Sequence, residues 1–284
     1  ASVLGAGMTD PAEESYLLRV AAALERCGAD IPVMRDAAEA AAARLAAGGR
    51  LWAAGQPGMV SELSGRAGGF MMIRPLGAHT PDDGDVVLYF PEPDSEEPAW
   101  TRGGPLAVRF GACRESTPGP CFPNHADTFR ISPTLANAMP GWLFTGELIA
   151  ALTRLGKMPV IYESIGLYGG NARIVQYRNG EIAFHDESPP PVAHGVIGRR
   201  YIEAVTAMLR RADRENREKM ARAAAWARES RARGGRLFMY SMGHLFPDEV
   251  EKTAIGGVFR SAVWNAGFRA SPKPDDVFGG DDFV

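Results

Sequence analysis

The sequence predicts an α/β fold: a parallel sheet with helices packed against it, followed by a second, smaller α/β unit. Three observations carry the prediction. Strand-like and helix-like segments alternate at short linkers through the first half, the order that yields right-handed crossovers and parallel pairing. Val86-Val87-Leu88-Tyr89-Phe90 is a continuous apolar run, as strands buried on both faces require. Gly-Gly-Arg-Leu occurs twice, at Gly48-Gly49-Arg50-Leu51 and Gly234-Gly235-Arg236-Leu237, each time between a long Ala- and Arg-rich stretch and a short apolar strand. The first copy runs into the turn Gly55-Gln56-Pro57-Gly58 and then Ser61-Glu62-Leu63. The second runs into Ser241-Met242-Gly243-His244 and then Asp248-Glu249-Val250. The shared order of helix, Gly-Gly, strand, turn and acidic helix start marks a duplicated unit.

Taken in order, Asp10-Pro11-Ala12-Glu13 has the cap, the first-turn proline and the acid of a capping box. Tyr16, Leu17, Val20, Ala21 and Leu24 then recur at helical spacing, and Cys27-Gly28 ends that helix. A second helix starts near Asp30 and Pro32 and stops at Gly48-Gly49. Strands are expected at 50–54, 70–73, 85–90, 106–110 and 128–131. A short helix is expected at 59–66, a broken one around Trp100, and an amphipathic one from Trp142 to Leu155. Beyond Lys157 the texture changes. Met158–Tyr162 reads as a strand, and Arg173–Tyr177 with Ile182–His185 reads as a hairpin turned at Asn179-Gly180. Pro189-Pro190-Pro191 marks a break. A long helix comes next and reaches about Arg233, then the second Gly-Gly strand, then a helix from Pro247 to about Ala266. The expected organisation is therefore an α/β domain over 10–156, a hairpin connector over 157–194, a second partial unit over 195–270, and an acidic Gly/Pro-rich tail over 271–284.

Composition bounds the function. A hydrophobic share of 45% and a charged share of 23% over 284 residues fit a globular chain that buries a real core. The net charge of −3 argues against nucleic acid as a partner, since such proteins need a basic face. The arginines between Arg199 and Arg236 are interleaved with acids, as on a solvated helix face. No apolar run is long enough to span a membrane. Cys27, Cys113 and Cys121 form neither an even disulfide framework nor a Cys-x-x-Cys metal pair, and free thiols point to a reducing compartment. The opening Ala1–Gly7 reads equally as the end of a signal peptide or as an ordinary terminus, which leaves localisation open.

The element order over roughly 12–156 resembles the SIS (sugar isomerase) domain family. Gly48–Gly58 is similar to that family's Gly-Gly-strand-Gly-x-Gly-Gly-Ser. Glu62-Leu63-Ser64-Gly65-Arg66 resembles the Glu-Leu-x-Gly-Arg of its phosphoheptose-isomerase-like members. The resemblance implies a flavodoxin-like, doubly wound sheet and a homodimer. It also implies a phosphosugar held where the first strand meets the next helix, where open α/β sheets bind ligands and helix N-termini favour anions. The second Gly-Gly unit would be a shortened, degenerate SIS-like half. Two departures stand out. The phosphate-binding Ser of the family falls at Met59, and its Ser/Thr-rich second turn is replaced by Pro91–Glu97, whose carboxylates repel phosphate.

Within that frame Glu62 and Glu249 are candidate bases for moving a proton between adjacent carbons. First-turn helix acids are the alternative reading. His244, at the second strand-to-helix turn, is a candidate for opening a sugar ring or for a plain turn residue. Gly55, Gln56, Gly58, Ser61, Ser64, Arg66, Ser241 and Gly243 are the expected substrate-binding residues. No cofactor or metal ion is expected. His79, His125, His185 and His194 are scattered without ligand spacing, and Gly-x-Gly-x-x-Gly, Walker and Gly-x-Ser-x-Gly strings are absent. The expected function is phosphosugar binding with possible aldose–ketose isomerase activity. The alternative is a non-catalytic sensor or oligomeric scaffold with a degenerate pocket.

Overall fold

The structure, a computed structural model, describes residues 15–64, 68–92, 95–114, 116–162, 172, 174–176, 183–240, 258–264 and 270–272. It divides into two compact units, 1–213 and 214–284.

In the first unit, α1 (Tyr16–Cys27) passes through a 3₁₀ turn, Gly28–Asp30, into α2 (Ile31–Ala46). Next come β1 (Leu51–Gly55), α3 (Pro57–Leu63), β2 (Ile73–Pro75), β3 (Val86–Phe90) and a 3₁₀ turn at Ala99–Arg102. The unit continues with β4 (Leu106–Gly111), β5 (Cys121–Pro123), α4 (Ala126–Phe129) and α5 (Pro133–Arg154). The five strands form one parallel sheet in the order β2-β1-β3-β4-β5, which is consistent with a flavodoxin-like layout.

Strand alternation sorts the core onto two faces. Leu51, Ala53, Val86, Leu88 and Phe90 point into a large cluster with α1, α2, α3 and α5. Phe90, Phe110, Phe122 and Phe144 lie ring against ring there, with centroid separations of 4.7–6.0 Å. Trp52, Ala54, Val87 and Tyr89 point the other way, to a smaller cluster closed by Leu76 and Trp100. Among the described residues no α-helix contributes to that second cluster. Among the described residues the helices pack on the first face, and Leu76 and the 3₁₀ turn at Trp100 close the second.

At the amino edge the buried carboxylate of Asp85 clamps β3 to β1. It accepts Trp52 Nε1 at 2.8 Å, Arg50 N at 2.8 Å and Asp82 N at 3.0 Å. Burial pushes its pKa up, but these hydrogen bonds and the Arg50 guanidinium outweigh that and hold it below the ordinary carboxylate range.

Several expectations are corrected. Residues 128–131 are not the fifth strand. Ala126–Phe129 is a single helical turn bracketed by His125 (φ 56°) and Arg130 (φ 50°) in the left-handed region. The fifth strand is Cys121–Pro123, which pairs Phe122 with Phe110 and, as an edge strand, tolerates Pro123. The helix expected from Trp142 begins at Pro133 and runs through Pro140, a break that burial on both sides of the helix overrides. In the expected hairpin, residues 174–176 are helical, and Asn179-Gly180 lies outside the described residues. What survives there is an antiparallel bridge from Pro159 to Phe184, beside another from Ile161 to Phe70. Cys113 and Cys121 are disulfide-bonded, against the expectation of three free thiols. Cys27 alone is free, and burial first, then Asp30, pushes its thiol up to about 12.

The long helix α6 (Val196–Ala232) crosses from the first unit into the second. The second unit then holds β6 (Leu237–Tyr240), β7 (Phe259–Trp264) and β8 (Ala270–Pro272). β6 and β7 are parallel, and β8 is antiparallel to β7. β7 overturns the helix expected to reach Ala266, and β8 reaches into the expected tail. The proposed cap at Asp10 lies outside the described residues.

The two Gly-Gly exits match bond for bond. Ala47 N donates to Ala43 O, Gly48 N to Leu45 O and Gly49 N to Arg44 O. At the same offsets Arg233 N donates to Glu229 O, Gly234 N to Arg231 O and Gly235 N to Ser230 O. Gly48 (φ 98°) and Gly234 (φ 86°) take the left-handed turn that this helix stop requires. Arg50 then lies over the Trp52 ring and Arg236 over the Phe238 ring, each at 5.2 Å.

Candidate functional site

Parallel strands end together, so Gly55, Phe90, Gly111 and Pro123 define one carboxyl edge. At its centre the order reverses between β1 and β3, the crevice where open α/β sheets hold ligands. Gly55 sits there with φ 98°, and a Cβ on it would lie 1.8 Å from Phe90 O, so only glycine fits.

Gln56 closes this crevice. Its N–H donates to Phe90 O at 2.7 Å and its Nε2 to Pro91 O at 3.1 Å. The expectation that this turn holds its backbone donors open for an anion therefore fails at Gln56. The Gln56 Oε1 accepts Asn137 Nδ2 at 3.1 Å, and Asn137 Oδ1 accepts Asn124 Nδ2 at 2.6 Å. Asn124 Oδ1 in turn caps Ala126 N at 3.0 Å. Three carboxamides, placed by β1, α5 and β5, thus form a chain along the edge. Gly111 (φ 122°) leaves room for it, because a Cβ there would reach within 3.2 Å of Asn137 Oδ1.

The residue after Asn124 is His125. Its Nε2 lies 3.7 Å from Asp30 Oδ2, and the side chains are only 15% and 19% exposed. Both atoms are shielded from solvent, and neither has a hydrogen-bond partner among the described residues. Buried polar atoms are normally satisfied, so an unsatisfied pair needs a reason. A carboxylate beside an imidazole is suited to holding and passing a proton.

The expected site residues divide in three. Gly55 and Gln56 stand at the carboxyl edge. Gly58, Ser61, Glu62 and Ser64 lie on or just beyond α3: Ser61 is exposed, and Ser64 Oγ donates to Val60 O of its own helix at 2.6 Å. Glu62 is half-buried, and its charge acts on Tyr201, whose phenol burial first and Glu62 second push up to about 12. Met59 points into the core, fully buried. Arg66, Ser241, Gly243, His244 and Glu249 lie outside the described residues. Sequence reading passed over Asn124 and Asn137, and took Asp30 only as a helix start and His125 only as one of four scattered histidines. They are far apart in the chain and form no local motif; the one readable signal was an Asn-His pair just after a proline-bounded strand.

His79 and His194 stand away from this edge. His79 stacks on Trp52 at 5.5 Å. His194 Nδ1 lies 2.7 Å from Glu147 Oε2, and that buried carboxylate also accepts Gly195 N at 2.8 Å and Gly198 N at 3.3 Å, at the start of α6. Among the described residues no three His, Cys, Asp or Glu side chains converge as a metal site, and no helix is long and apolar enough to cross a membrane.

The fold and this edge define an α/β protein with a parallel sheet and a polar site at its switch point. No family model matches the chain, and no curated protein matches it.

Proposed function

We propose that the carboxyl edge of the five-stranded sheet binds a small phosphosugar, and that His125 and Asp30 serve there as the acid–base pair of an aldose–ketose isomerisation. The observation that carries this reading is the unsatisfied His125–Asp30 pair beside the Gln56–Asn137–Asn124 chain. Carboxamides offer donors and acceptors together, which suits a row of sugar hydroxyls. One member of the pair removes a proton from the carbon beside the carbonyl and returns it to the neighbouring carbon. The other relays the proton between the two oxygens. His125 is preferred to Glu62 as the base because the Glu62 charge acts on Tyr201. The SIS-like reading, with a second partial unit after α6 and a homodimer, belongs to this proposal.

A second reading is a non-catalytic sensor or scaffold, favoured by Gln56 filling the switch point and by Glu92 and Glu97 in the next loop. A thermal-shift panel separates the two, since a ligand that binds the native state raises its melting temperature. Sugar phosphates should stabilise the protein and NAD(P) should not. His125→Gln should then cut turnover by roughly a hundredfold or more while leaving binding in place. If no sugar phosphate shifts the melting temperature at millimolar concentration, the binding reading is lost and the scaffold reading stands.

A further inference from the structure

We propose that the Cys113–Cys121 disulfide is a thiol-exchange site through which a dithiol reductant controls the order of the carboxyl edge. The bond joins the exit of β4 to the start of β5, across the loop Ala112–Pro120. Parallel strands ordinarily need a crossover of about a dozen residues or more, usually with a helix in it. This loop is shorter and tight: Gly119 (φ 74°) passes so close to β4 that a Cβ there would lie 3.2 Å from Ala107 O. The strand it leads to is weak. β5 pairs with β4 at Cys121, Phe122 and Pro123, and Pro120 and Pro123 have no N–H to give a ladder. The disulfide supplies a restraint that this ladder lacks.

β5 positions the proposed site. Asn124 and His125 follow Pro123 directly, and Asn124 both reaches Asn137 and caps Ala126 N. Phe122, buried beside Phe110 and Phe144, keeps the strand on the core when the bond opens, so the change is local. Cys113 is exposed and Cys121 half-buried, which puts the bond within reach of a donor in the folded protein. A donor thiolate attacks Cys113 Sγ, the bond to Cys121 breaks, and Cys121 leaves as a thiolate. The donor's second thiolate then attacks its own sulfur in the mixed disulfide and releases Cys113. Two electrons and two protons pass to the cysteines, and the donor ends as a disulfide. Cys27 is buried and takes no part. The inference rests on the isomerase reading only for what this edge binds, and the readouts below need no sugar phosphate.

The test is to incubate the full chain in dithiothreitol without denaturant and to trap thiols with iodoacetamide. Cys113 and Cys121 should both be alkylated and Cys27 should not. Replacing dithiothreitol with oxidised glutathione before trapping should restore the bond. Amide exchange followed by NMR should quicken about tenfold or more in the reduced protein at Arg109, whose N–H meets Pro120 O at 2.9 Å, and at Ala126, capped by Asn124. It should stay unchanged at Val86, whose N–H meets Arg50 O at the amino edge. The melting temperature should fall by about 5 °C. Cys113→Ser combined with Cys121→Ser should reproduce the reduced protein and ignore dithiothreitol. The proposal is overturned if the bond resists millimolar dithiothreitol until the protein unfolds, or if Ala126 exchanges equally in the oxidised and reduced proteins. A protein that binds no sugar phosphate yet shows both exchange changes loses the isomerase reading and keeps this one.

Discussion

Asp85 is the side chain whose protonation most plainly bears on stability. It is 2% exposed and receives Trp52 Nε1, two backbone N–H groups and the Arg50 guanidinium. Its pKa in the folded state lies below the unfolded value, so its contribution is present above the ordinary carboxylate pKa and is lost as pH falls through the folded value. Urea midpoints should therefore decline as pH falls from neutral through and below the ordinary carboxylate range, and Asp85→Asn should be less stable at pH 7 by about 2–3 kcal/mol. The gap between the two proteins should narrow as pH drops. A constant gap across that range would mean that the carboxylate charge contributes nothing. The same residue explains why the run opening at Asp85 reads as a strand from Val86 onward: its one charged member is a clamp at the sheet edge.

Among the elements, β1 and its turn into α3 are the most constrained. Gly55 holds φ 98° against Phe90 O, and Gln56 ties the turn to both Phe90 O and Pro91 O. Gly55→Ala forces a Cβ into backbone at a positive φ, with nothing flexible to yield. It should destabilise the protein by about 3 kcal/mol or more in urea denaturation, against the small effect usual for alanine at a compatible site. Wild-type stability in that variant would mean that the β1–β3 register is wrong. Element identity was legible wherever periodicity was strong. α1, α2, β1, β3 and β4 fall within a few residues of expectation, because their burial comes from their own pattern. The fifth strand was not legible. Cys121-Phe122-Pro123 is too short and proline-bound to signal itself, and it becomes a strand only because Phe122 pairs against Phe110. The helix expected past Pro247 met a strand at Phe259–Trp264 for the same reason: β6 offers that segment a parallel partner.

Across the whole molecule, the repeated Gly-Gly stop is the feature that sequence and structure share most closely. The two helix exits have the same hydrogen-bond offsets and the same arginine-over-ring contact. The sheets that the two stops open are different. The first stop leads into a five-stranded parallel sheet; among the described residues the second leads into a sheet of three strands, one of them antiparallel. The homodimer that accompanies the proposed function is checked by light scattering on the eluting protein. The expected mass is twice that of the 30.5 kDa chain. Elution at the mass of one chain removes the dimer from the proposal without touching the site.

The sequence by itself determined the α/β class, the strand segments β1, β3 and β4, the two Gly-Gly helix stops and the glycine turn after β1. All of these rest on contacts or conformations within a few residues of one another. Only the tertiary structure decided which face carries the helices, which short segment completes the sheet, that Cys113 meets Cys121, and that Asp30, His125, Asn124, Asn137 and Gln56 gather at one edge. Those facts depend on residues distant in the chain, and the packing that brings them together leaves no periodic mark along it.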